Sequence, residues 1–174
     1  MNQRTSIRDV VYPHAEVEWP DKKPFMEELN REMQRGSDRA LVLVCGAMID
    51  EQLRRLLEAA FHYSSAKLFE GPSAPVAPMA SRIDIARALG LVAEEDKLRL
   101  HHLRRMRNDM AHQLSLDLSD RRFLEGIDKL LFGINLKNID DNCRLRFSVA
   151  AIYLINMLGL RIVEARRRKS TPLF

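Results

Sequence analysis

Aromatic residues make up only 6% of this 174-residue sequence, which also has just 7 glycines, 7 prolines and 2 cysteines. So few turn-forming residues argue against a β-sandwich, whose many short strands need Gly- and Pro-rich turns. Cys45 and Cys143 lie in separate apolar stretches. There is no CxxC pair and no Cys/His cluster at zinc spacing, so a zinc module is not expected. Both cysteines are read as reduced core residues, with a structural disulfide as the lesser alternative. The first eleven residues carry charges throughout and contain no apolar run of the signal-peptide kind. Phe147 to Leu160 is strongly apolar but shorter than the roughly 20 residues a membrane span needs, so a core helix is expected there. A cytoplasmic protein without a membrane partner follows from these readings. Gly-rich phosphate loops, an ordered Ser-His-Asp set and paired metal-binding motifs are also missing, which leaves little support for a metabolic enzyme. No metal or other cofactor is expected.

What is present favours helices. Hydrophobic residues reach 46% and charged residues 30%, and Leu, Ala, Met and Arg are frequent. The net charge of +4 and pI of about 9.3 permit nucleic-acid contact without requiring it. The expectation is an all-α, single-domain bundle of about six helices, two of them long. Residues 1–20 read as an irregular arm with Trp19 as a possible anchor, 21–169 as the helical domain and 170–174 as a tail.

Asp21 and Pro24 open a first helix whose stripe is Phe25, Met26, Leu29 and Met33, and Gly36 ends it. Ser37 or Asp38 caps a long helix to about Phe61, with Leu41, Cys45, Ile49, Leu53 and Leu56 at helical spacing. Gly46 inside it is expected to permit a close helix contact. Residues 62–78, with Pro72, Pro75 and Pro78, read as a long connector. A short helix carrying Ile83, Ala86 and Leu89 stops at Gly90. Helices over about Glu94–Gln113, Ser119–Leu131 and Asn142–Arg168 complete the chain.

The helix from Glu94 carries the most chemistry. At about 100° per residue, Leu100, Leu103, Met106, Met110 and Leu114 share its core face. Arg107 falls about 40° from Leu103, so its guanidinium must pair with an acid, Asp50 or Glu51, or reach out along its stem. His101, Arg105, Asn108 and His112 form a polar strip on the other side, and histidine is suited to moving protons near neutral pH. Arg107 and His112 point about 140° apart on an ideal helix. A long Arg side chain, a loosened helix end or a second copy of the chain would bring them together.

Arg107-Asn108-Asp109-Met110-Ala111-His112 resembles the Arg-x4-6-His signature of the HEPN superfamily, including a polar residue directly after the arginine. The resemblance implies a helical bundle, often homodimeric, and in many members a metal-independent endoribonuclease of toxin–antitoxin or phage-defence type. It implies Arg107, Asn108 and His112 as catalytic residues in a cleft shared by two protomers, with an antitoxin or regulatory protein as possible partner. Arg104, Arg105 and His101 would then bind RNA phosphates. The segments Leu41–Gly46, Leu68–Gly71, Ser81–Ala86 and Gly90-Leu91 are also similar to mannitol-operon-repressor (MtlR/MltR) bacterial proteins over roughly residues 38–130. That likeness implies a non-catalytic regulatory or interaction module. Direct DNA binding by a helix-turn-helix over Ile85–Leu98 is disfavoured, because Glu94, Glu95 and Asp96 would open its recognition helix and repel phosphates.

Overall fold

In the computed structural model of the chain, the described residues are 22–64, 66–113, 116–134 and 142–170. They form seven α-helices and no strand: α1 (Lys22–Arg35), α2 (Asp38–Ala60), α3 (Ala66–Phe69), α4 (Met79–Ala88), α5 (Glu94–His112), α6 (Arg121–Leu131) and α7 (Cys143–Ser170). The N-terminal arm with Trp19, the Asp21 cap, Leu114 and residues 171–174 lie outside the described residues.

The two long helices, α2 and α7, share the most extensive interface and form the centre of the bundle. Leu41, Cys45, Ile49, Leu53 and Leu56 of α2 are fully buried, as their spacing requires. In α7 the apolar window is longer than Phe147–Leu160. By length and composition the stretch Cys143–Lys169 is sufficient to cross a membrane. However, 61% of that window is buried within the bundle, and Phe147, Ala151 and Leu158 are completely covered, so α7 is a core helix. Helices α1, α4 and α5 also pack on α2, while α5–α6 and α6–α7 contacts close the other side.

Local chemistry sets the element ends. Ser37 Oγ accepts from the Ala40 N–H at 3.1 Å and starts α2. Arg144 of α7 donates to the carbonyls of Glu32 (2.7 Å) and Gly36 (3.0 Å) and pairs with Asp38, tying the α1–α2 corner to α7. Glu32 O also accepts from the Gly36 N–H at 3.0 Å, so Arg144 adds a second donor at the end of α1.

Three expectations need correction. Residues 62–78 are not a plain connector. They contain α3, which raises the helix count from six to seven, and they bury Phe69, Ala74 and Val76. Arg82 fastens this segment, its Nε donating to Val76 O at 2.8 Å. Helix α6 starts at Arg121, because the Ser119 N–H is taken by Asp117 Oδ1 at 2.7 Å in a local turn. Cys143, at the first turn of α7, is half-buried, while Cys45 is fully buried, and both are free thiols.

Candidate nucleic-acid interface

Helix α5 is built to hold its charged residues in place. Three acids occupy its first turn, where the helix dipole is positive. Glu94 Oε2 accepts from Arg87 of α4 at 2.9 Å, and that contact holds its carboxyl below the usual range. Asp96 is buried and accepts from Arg99 at 2.7 Å. Leu100, Leu103, Met106 and Met110 point into the core.

At the other end α5 stays wound through His112. The Gln113 N–H reaches Asp109 O at 3.0 Å, and Arg39 of α2 donates to Ala111 O at 2.8 Å, satisfying one of the terminal carbonyls. A loosened helix end is therefore not how Arg107 and His112 meet.

Arg107 is not sealed against Asp50 or Glu51. Asp50 accepts from Arg82 at 2.7 Å. Its carboxyl is pushed up by burial, opposed by Arg82 and, more weakly, by the charge of Arg107. Glu51 accepts from Arg54 and Arg55, each at 2.8 Å, and these bonds hold its carboxyl low against the opposing effect of burial. With both acids engaged, Arg107 takes the other course open to a guanidinium on an apolar face. Its stem lies on Gly46 of α2, so close that a Cβ there would come within 2.7 Å of Arg107 Cγ. The residue as a whole is exposed. Its guanidinium donates to Asn108 Oδ1 at 3.1 Å. Gly46 thus serves the close contact its sequence position suggested, and the contact made is with the arginine stem.

The other candidate residues divide into different surroundings. His112 is exposed at the end of α5, and Asn108 is half-buried. Arg105 is exposed and donates to His102 Nδ1 at 3.0 Å. Arg104 is half-buried, and its Nε is fully covered without a partner. His101 Nε2 lies 3.1 Å from Asp84 Oδ1 of α4, so a carboxylate already engages one nitrogen of that imidazole.

Sequence reasoning passed over the side of α5 that faces α6. A groove there is lined by Leu98, Arg99, His102, Lys129 and Phe132, among others, with a volume of about 590 Å³. A second cavity of about 280 Å³, lined by His102, Arg105, Asp109, Arg122 and Lys129, adjoins it. Neither has Arg107 or His112 in its wall. The available signal was Arg122, Gly126 and Lys129 at i, i+4 and i+7, which places two cations and a glycine on one face of α6. Burial, followed by the nearby charges of Arg105, Lys129 and His101, pushes the His102 imidazole below its ordinary value.

No cluster of three or more metal-ligating side chains occurs among the described residues. Comparison with family models, curated proteins and solved structures finds no match for this chain.

Proposed function

We propose that the protein is a HEPN-like, metal-independent endoribonuclease of the cytoplasm that acts as a homodimer. The observation that carries this reading is the state of Arg107. Among the described residues no carboxylate pairs with it, it is exposed, and its guanidinium is held by Asn108. An arginine kept for a buried ion pair would be covered and matched by an acid.

Arg107 and His112 diverge by about 140° on a continuous helix, and α5 is continuous to His112. Asn108, about 40° from His112 on the same wheel, turns the guanidinium toward the polar strip. A second copy of the chain, facing this strip, supplies the remaining convergence.

In such a cleft His112 of one protomer takes the proton of an RNA 2′-hydroxyl. The 2′-oxygen bonds to the adjacent phosphorus, the bond to the 5′-oxygen breaks, and that oxygen takes its proton from water, so one His112 serves each cleavage. Proton transfer of this kind contributes typically ~10²–10⁴-fold. Arg107 binds the phosphate oxygens and stabilises the charge that builds on them. The products carry a 2′,3′-cyclic phosphate and a 5′-hydroxyl. An antitoxin or regulatory protein that covers the exposed strip would hold the activity in check.

The test incubates purified protein with total RNA in the presence of EDTA, beside the Arg107→Ala and His112→Ala variants. Chelator-resistant cleavage lost in both variants, with helical content retained, supports the reading. Intact RNA with all three proteins, after any co-purifying partner has been stripped away, refutes it and leaves the non-catalytic regulatory module as the better account.

A further inference from the structure

The groove between α5 and α6 is polarised along its length. Its narrower end gathers Arg105, Arg122, Lys129 and His102 around one acid, Asp109, which lies 4.0 Å from Arg122. Arg122 uses one further donor on Gln113 Oε1 at 2.8 Å, and its guanidinium covers the Phe123 ring at 5.4 Å. Three permanent cations against one carboxylate make this end attractive to an anion. Arg105 donates to His102 Nδ1, so a neutral His102 carries its proton on Nε2, a further donor where the two cavities meet.

The wider end exposes two large apolar side chains. Leu98 is 52% exposed and Phe132 80% exposed. Of the acids in its wall, Asp128 is paired with Arg146 at 2.5 Å and Glu125 with Arg121 at 3.1 Å, while Glu95 remains. Phe132 is displayed from a fixed backbone. The buried Arg99 donates to its carbonyl at 2.6 Å and to Asp96 at 2.7 Å, and Gly133 turns the chain immediately after it at φ +75°.

We infer that this groove is a nucleotide subsite for single-stranded RNA, holding one backbone phosphate among Arg105, Arg122 and Lys129 and stacking the attached base on Phe132. A strand of RNA combines a repeating anion with flat rings, and cations beside an exposed aromatic are how strands are held without regard to sequence. The placement also fits the site proposed above. Arg105 lies two turns from His112, about 20° away on the helix wheel and about 10 Å along the axis. A strand cut near His112 therefore passes Arg105 and enters the groove. The inference rests on the RNA reading but not on cleavage.

The experiment uses the full chain carrying His112→Ala, so that RNA stays intact, and a fluorescein-labelled single strand of about ten nucleotides read by anisotropy across a salt series. Lys129→Glu is expected to weaken binding about tenfold or more and to flatten the log–log salt slope by about 0.7, the value for one phosphate contact on a single strand. Phe132→Ala should cost about tenfold with the ordinary strand and nothing with an abasic one. Lys67→Glu, on α3 away from the groove, should bind within about twofold of the parent, which excludes a loss from net charge alone. The proposal is overturned if Lys129→Glu binds like the parent, or if Lys67→Glu weakens binding equally. It is also overturned if inorganic phosphate or polyglutamate displaces the strand as well as unlabelled RNA does. Groove-dependent binding without cleavage by the wild type would sink only the nuclease. Cleavage with unchanged binding in Lys129→Glu would sink only the groove.

Discussion

At the scale of single residues, the decisive contact is that of Gly46 with Arg107. A Cβ at position 46 would lie 2.7 Å from Arg107 Cγ and 3.2 Å from its Cβ, near the root of the side chain where little can yield. Gly46→Ala gains about 1 kcal/mol of helix propensity but overpacks the contact at about 1–3 kcal/mol. A net loss of about 1 kcal/mol in urea denaturation is expected. In an Arg107→Ala background, where only the 3.2 Å contact with the Cβ remains, the same change should cost less, a coupling that a double-mutant cycle reads directly. Equal effects in both backgrounds would mean that Arg107 does not rest on Gly46.

The thiols make a second residue-level prediction. Burial pushes the Cys45 thiol up to about 12, so at pH about 8 it holds almost no thiolate, the reactive form. Iodoacetamide should modify Cys143 in the native protein and reach Cys45 only after unfolding, as peptide mass mapping would show. Native modification of Cys45 would contradict its place in the core.

His102 supplies a pH dependence. Its imidazole is lowered by burial and by Arg105, Lys129 and His101, while the acids of the groove wall, Asp109, Glu95, Glu125 and Asp128, do not reverse the shift. The unfolded chain then binds that proton more readily than the folded one. Its contribution to stability is therefore present above the ordinary histidine value of about 6.5 and is lost as pH falls below it. The urea midpoint should drop between about pH 7.5 and 5.5, and His102→Gln should make the drop shallower. An unchanged slope would show that His102 is not the group responsible.

At the scale of elements, hydrophobic periodicity was enough to find the long helices. Phe25 and Leu29, Leu41 to Leu56, and Leu100 to Met110 all face the core as their spacing demanded. Residues 62–78 escaped because a four-residue helix is too short to show a period, and because Phe69 and Val76 are buried by tertiary contacts that no local pattern records. Arg107 was legible as a problem on an apolar face, but its resolution was not. Whether Asp50 was free for it depended on Arg82, 32 residues further along the chain. The α5–α6 groove was illegible for the same reason, since it exists only once two helices are packed side by side. Arg144 shows how such long-range ties hold elements in place. Its bonds to Glu32 O, Gly36 O and Asp38 join the α1–α2 corner to α7. Arg144→Met should lower stability by about 2 kcal/mol, and hydrogen exchange should show the loss concentrated in α1. Uniform loss of protection across the chain would argue against a local clasp.

At the scale of the whole molecule, a bundle centred on α2 and α7 leaves α5 with two sides that bear cations. One carries Arg107 over Gly46, and the other faces α6 and the groove. The His112 strip lies between them. Arg107 and His112 project about 140° apart on α5, and its last turn is held wound by the Gln113 N–H and by Arg39. The central claim is thus that the cleaving site is composite, with arginine and imidazole contributed across two copies. Subunit complementation tests it most directly. Arg107→Ala and His112→Ala proteins are unfolded together, refolded as a mixture and given a labelled RNA in EDTA. The account predicts that each variant alone is inactive and that the mixture regains cleavage, yielding a 2′,3′-cyclic phosphate end. A mixture as inactive as its parents, beside an active wild type refolded in the same way, would contradict it.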